Sequence, residues 1–193
     1  KKQINWENNI VTNNDKKIAK STLLLLRNKS WKDISLKEIK SKSKIKSFDK
    51  LIKDKKTIIM KINEYFDYQL SLMSKYIENS NNKDMIFEVM MMRFDIIQKN
   101  RKGIISIFKS FKSKPLDLFF LLPSIIESVI LMINYTKISS KGIMGQLKIK
   151  GILIIYIQSF FIWAKDETSS LEKTMTNLDK NLDQAGTILS FIR

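Results

Sequence analysis

The residues of this chain best placed for acid–base chemistry are two carboxylate pairs. Asp166 and Glu167 are neighbours in a short polar stretch, KDETSS, and Asp179 and Asp183 stand four apart, on one face of any helix that carries them. A general acid and base must be held close to the bond they act on, with pKa values tuned to the task. The first pair falls in an expected loop. The second lies on a surface stripe with lysine neighbours, where a solvated face accounts for it better, and a carboxylate-only Mg²⁺ site is left open. Histidine and cysteine are absent from the sequence, which removes His- or Cys-based nucleophilic catalysis, Cys/His zinc sites, disulfides and haem ligation by His. The reading is a binding protein and not an enzyme, with no catalytic residues, metal or cofactor.

The other chemistry within reach is the binding of a polyanion. The net charge is +16, and it is unevenly placed: residues 1–61 hold 18 basic and 6 acidic side chains, whereas residues 62–193 hold 17 and 13. A positive head on a near-neutral body is the footprint expected of nucleic-acid binding. Lys42, Lys44, Lys46, Lys50, Lys53 and Lys55 are the densest part of it. Lysine outnumbers arginine 31 to 4, so a solvated face in a lysine-rich proteome would give the same residues.

These groups must be positioned by helices. Five Gly and two Pro in 193 residues, with long stretches of three- and four-residue apolar spacing, predict an all-α fold with a sizeable core. Residues 1–8 read as a tail, and a first helix follows from Ile10 to Arg27 with Ile18, Thr22, Leu25 and Leu26 inward. Ser35 and Glu38 have capping-box spacing and open a second helix to about Lys42. Ser43–Asp54 forms a short basic turn and helix, and a long helix runs from Lys55 to about Glu78. Three short helices before a long one are helix-turn-helix geometry.

In the rest of the chain, Met85–Gln98 predicts a helix, with Arg93 and Asp95 able to pair between helices. Arg101–Lys112 gives a further helix. Leu116 to about Thr136 reads as one central helix, apolar almost all round and kinked at Pro123. Gly151 is expected to allow close helix packing. A long apolar helix, Leu147–Ala164, then folds back onto an amphipathic one, Leu171–Leu189, capped by Ser169 and Glu172. Its stripe is Leu171, Met175, Leu178, Leu182, Ala185 and Leu189. No secretory signal is evident, and the apolar runs Leu116–Ile133 and Ile152–Ala164 are interrupted or fall short of the ~20 residues a membrane span needs, so the expectation is a cytoplasmic protein.

The segment Trp31–Ile59, WKDISLKEIKSKSKIKSFDKLIKDKKTII, resembles the N-terminal domain of tetracycline-repressor (TetR) type regulators. Ile34-Ser35-Leu36-Lys37-Glu38-Ile39 matches the family's second helix, Ile45 its apolar anchor in the turn, and Lys55 with Ile58 and Ile59 its entry to helix four. Asp84–Ile107 and Trp163–Ala185 are similar to a proteobacterial subgroup of that family, so the resemblance covers about residues 10–190. Three departures stand out. The span from Ile45 to Lys55 is short by about half a turn, Lys44 replaces the usual Gly of the turn, and the aromatic pair near the end of the recognition helix is absent.

The resemblance implies a nine-helix architecture, with a DNA-binding head over residues 1–55 and a helical dimerisation and effector body over residues 56–193. It implies DNA contacts from Ser35, Lys44, Lys46, Ser47, Lys50, Lys53 and Lys55 on a palindromic operator. Lysines on phosphates give affinity without sequence choice. A small apolar effector would meet Met90, Met91, Phe94, Phe111, Phe119, Phe120, Glu127 and Met132, although ordinary core accounts for the methionine stripe as well. A homodimer would close through Phe160, Trp163, Met175, Leu178 and Leu182. The competing reading is a scaffold similar to the ubiquinone-biosynthesis accessory proteins of this fold, without sequence-specific DNA binding, that takes lipid or isoprenoid or meets a membrane surface. An exposed helix over Ser47–Ile52 would separate the two.

Overall fold

The computed structural model describes residues 11–113 and 115–190; the expected tail at residues 1–8 and the side chain of Leu189 lie outside the described residues. Nine α-helices carry the described chain: α1 (Asn13–Leu25), α2 (Leu36–Ser43), α3 (Phe48–Leu51), α4 (Lys55–Met73), α5 (Asn82–Gln98), α6 (Arg101–Ser110), α7 (Leu122–Asn134), α8 (Gly142–Trp163) and α9 (Glu172–Ser190). Local chemistry sets most starts. Thr12 with Asp15 and Ser35 with Glu38 form full capping boxes at α1 and α2, and Asp54 and Asn81 accept the amides of Thr57 and Asp84 at α4 and α5.

The first three helices enclose a small core of Ile18, Leu26, Trp31, Ile34, Ile39 and Phe48, continuous with the body through Ile58 and Ile62 on α4. In the body, α4, α5 and α7 pack together, and the α8–α9 hairpin lies on α7 and α5. Arg101 fixes the end of α8, its guanidinium donating to the carbonyls of Trp163 at 2.7 Å and Ala164 at 3.2 Å. The Trp163 indole in turn donates to Gln98 at 2.9 Å.

Several expectations need correction. The apolar stretch after Pro115 is not one kinked helix: residues Pro115–Leu121 form a tight 3₁₀ segment, and Pro123 sits in the first turn of α7, where its missing N–H has no partner to lose. Gly151 has open space around it, whereas a Cβ on Gly103 would come within 2.8 Å of Leu26 and one on Gly145 would run into the backbone of Ser140. α8 is longer than expected, 22 residues, and by length and composition it is apolar enough to cross a bilayer. In the fold it buries Ile149, Ile152, Ile155, Tyr156 and Trp163 against its neighbours.

The start of α9 is also built differently. Ser169 does not cap it; Thr168 accepts the amide of Glu172 at 3.0 Å, and the buried Asp166 reaches both sides of the loop. Asp166 accepts from the backbone and hydroxyl of Thr168 (3.1 and 2.6 Å) and of Thr174 (2.8 and 2.8 Å). Burial would raise its carboxyl, but these four bonds hold it down at about 2. A depressed carboxylate adds stability that is complete above the unfolded value near 4 and is lost as pH falls towards 2. Asp166→Asn should therefore lower stability by about 1–3 kcal/mol at neutral pH and remove this contribution to acid unfolding between about pH 4 and 2, read by urea melts across that range.

Candidate DNA-binding head and ligand cavity

The head presents its lysines on the α2–α3 turn. Lys44 ends α2 in the left-handed conformation, φ 54° and ψ 35°, at the place where the sequence pattern wants glycine. A side chain there costs about 1–2 kcal/mol, and the turn carries that strain to bring Ile45 back into the core. Lys44→Gly should raise stability by about 1 kcal/mol, or about 2–4 °C in Tm, by thermal unfolding.

After the turn, α3 is a single turn of four residues, Phe48–Leu51. Phe48 and Ile52 are buried in the head, leaving Asp49 and Lys50 exposed, and Asp49 pairs with Lys40. Lys42, Lys44, Lys46, Lys50 and Lys53 are exposed around it. Two expected contact residues have their polar atoms engaged within the head. Ser35 accepts from Glu38 N at 3.2 Å as the cap of α2. The Lys55 ammonium donates to the carbonyls of Trp31 and Ile34 (2.5 and 2.7 Å), 4.4 Å above the Trp31 ring, and burial lowers its pKa.

The head meets the body on α6. The Trp31 amide donates to Ser106 at 2.7 Å, the Lys102 ammonium to the Arg27 carbonyl at 2.9 Å, and Gly103 lets Leu26 close against the helix. The other face of α6, with Ile104, Ile107 and Phe108, lines a cavity of about 570 Å³. Its remaining walls include Ile59, Ile62 and Phe66 of α4, Leu118 of the 3₁₀ segment, and Ile157 and Phe161 of α8. Of the expected pocket residues, Phe111 and Phe119 lie on this wall. Met90, Phe94 and Met132 are core side chains with no exposure, and Met91 and Phe120 pack against that core. Met90, Met91 and Phe94 of α5, Phe120 of the 3₁₀ segment and Met132 of α7 are not among the residues that line the cavity.

Glu127 is misplaced too. It is exposed and lines a separate polar cleft of about 490 Å³ with Asp15, Lys61, Glu64, Asp67 and Tyr135. Partial desolvation by the cleft walls, then the neighbouring Glu64 and Asp67, raise its carboxyl above the ordinary value. Lys61 bridges Asp15 and Glu64 in that cleft, at 3.3 and 2.9 Å.

Between the two cavities lies a buried polar cluster that sequence reasoning missed. Arg93, 1% exposed, makes the expected pair between helices, with Asp67 of α4 at 2.5 Å, whereas Asp95 is exposed. It also donates to Tyr156 (2.9 Å), Asn63 (2.7 Å) and Ser128 (3.3 Å). Ser128 donates to Asp67 at 2.8 Å. Burial pushes the Asp67 carboxyl up, against the pull of Arg93 and Ser128. The signal was there in i,i+4 pairs: Asn63 and Asp67 on α4, Ser124 and Ser128 on α7.

The expected dimer residues divide. Trp163, Leu178 and Leu182 are buried inside the chain itself and are not available to a second copy; Phe160 is half-buried, and Met175 is exposed. The exposed apolar side chains on α8 are Ile143 (92%), Met144, Leu147, Ile154 and Phe161. Asp179 and Asp183 both bind Lys83 of α5, at 2.8 and 2.6 Å, which raises its pKa and pins α9 in place. Among the described residues, no cluster of three or more Asp, Glu, His or Cys is arranged to hold a metal ion.

The sequence matches no family model and no curated protein. Among solved structures, the chain is similar to the crystal structure of the TetR transcriptional regulator from Nitrosomonas europaea. The TM-score is 0.70 at 17% sequence identity, over 89% of this chain and 97% of that one. The fold is TetR-like. That likeness includes the body as well as the head, so the TetR-like scaffold also frames the cavity beside α6.

Proposed function

We propose that the protein is a TetR-like transcriptional regulator that binds DNA as a dimer and responds to a small apolar ligand, with the head in residues 1–55 and the body in residues 56–193. The observation that carries this reading is α6: one helix holds the head through Ser106, Lys102 and Gly103 and lines the cavity with Ile104, Ile107 and Phe108. A ligand that moves α6 moves the joint to the head, which would alter the separation of two heads on a palindromic operator. The dimer face is the exposed side of α8 and α9, with Leu147, Ile154, Phe161 and Met175 at its centre and Phe160 at its edge. Such a stripe on an isolated chain is an association surface. The protein would act in the cytoplasm, where its operator is.

The one-turn α3 favours a second reading: a TetR-like scaffold without base recognition that holds lipid or isoprenoid and meets an anionic membrane through its lysines. The two separate in one experiment. Purified protein is titrated with duplex DNA and with anionic liposomes across a salt series, with its mass followed by light scattering. Salt-sensitive DNA binding by a dimer supports the regulator; liposome binding without DNA binding at low salt overturns it.

A further inference from the structure

The cavity is apolar except at one place. Asn63, Arg93 and Tyr156 are its polar lining residues, and they belong to one hydrogen-bonded cluster. Arg93 is committed: its Nε donates to Tyr156, and its terminal nitrogens donate to Asp67, Asn63 and Ser128. Tyr156 is 7% exposed, and its ring stacks on Phe94 at 5.6 Å. Its oxygen accepts from Arg93, but among the described residues its own O–H has no acceptor. A buried hydroxyl ordinarily uses its proton. Here the unused donor belongs to a residue that lines the cavity.

The charges decide what that donor can take. Arg93 and Asp67 cancel each other, so the polar end carries no net charge. An incoming carboxylate would face the Asp67 carboxylate in a poorly solvated space and would have to pull Arg93 away from it. A neutral oxygen needs neither. On these grounds we infer that the ligand of this cavity is an elongated apolar molecule with a neutral oxygen acceptor, a ketone, ester or ether, that receives the Tyr156 hydroxyl proton. A volume of about 570 Å³ is within the range of small-molecule sites. This inference rests on the cavity being the effector site.

The test uses the whole protein and three probes of equal chain length, a medium-chain methyl ketone, the alkane and the carboxylate, each competing with a neutral fluorescent dye. The ketone should bind about tenfold tighter than either of the others, as expected for filling one buried donor. Tyr156→Phe should erase the ketone's advantage and leave alkane affinity unchanged, which also reports that the cavity is intact. A carboxylate that binds tighter than the ketone, equal loss for ketone and alkane in the variant, or no binding of any probe overturns the inference. DNA titrated alongside keeps the two questions apart. Ketone binding without DNA binding sinks the regulator alone; DNA binding without probe binding sinks this inference alone.

Discussion

Replacing Lys42, Lys44, Lys46 and Lys50 together by alanine should lower affinity for duplex DNA by about 4 × 10³-fold per head at about 0.1 M salt, because each phosphate contact adds about 0.9 to the log–log salt slope and about eightfold in binding at that concentration. All four side chains are exposed on or beside the α2–α3 turn, so their loss should leave the melting curve nearly unchanged. Lys55 is the contrast within the same charge run. Its ammonium already serves the carbonyls of Trp31 and Ile34, so Lys55→Met should lower stability and leave the salt slope as it was. Lysine contacts to phosphate carry no base information, so the quadruple variant should lose about the same factor on random and on selected duplexes. A quadruple variant with an unaltered slope would remove the head from DNA binding altogether.

Arg93→Met should cost about 3–5 kcal/mol of folding stability, the usual consequence of removing one partner of a buried ion pair and leaving the other unpaired. Asp67 would keep Ser128 as a donor but lose its charge partner, and Asn63 and Tyr156 would lose theirs. Combining Arg93→Met with Asp67→Leu should recover most of the loss, since an apolar pair of similar volume needs no compensation. Urea unfolding of the two single variants and the double gives the coupling energy directly. Near-additive losses would mean that the two side chains act separately and that the cluster does not hold α4, α5, α7 and α8 together.

Capping and periodicity made the helices legible. Ser35 and Glu38 announced α2, and the apolar steps that begin at Leu171 and run along α9 placed Leu171, Leu178 and Leu182 on the buried face while Met175 stays exposed, because those signals depend on neighbours within one turn. What failed depended on distance. Met90, Phe94 and Met132 carry the chemistry of a flexible pocket, but their place was settled by which helices pack on α5 and α7. Trp163 and Leu182 lie on apolar stripes that could face a second copy or the same chain, and periodicity cannot choose between them. Asp166 looked like half of an acid–base pair; a capping role for it became visible only when Thr168 and Thr174 were brought within 3 Å of it. Arg93 was marked for an ion pair between helices and forms one, but its partner, Asp67 of α4, lies 26 residues away and nothing local names it.

The Asp166 loop bears on the order in which the chain assembles. Its bonds join residues two and eight apart in sequence, whereas the head is tied to α6 by Trp31 and Ser106, 75 residues apart. Closing a long loop costs more chain entropy than closing a short one, and local contacts form earlier. The terminal hairpin is thus expected as an early element of the folding route and the head–body joint as a late one. In kinetic terms, substitutions at Asp166 should slow refolding, while those at Ser106 should chiefly speed unfolding.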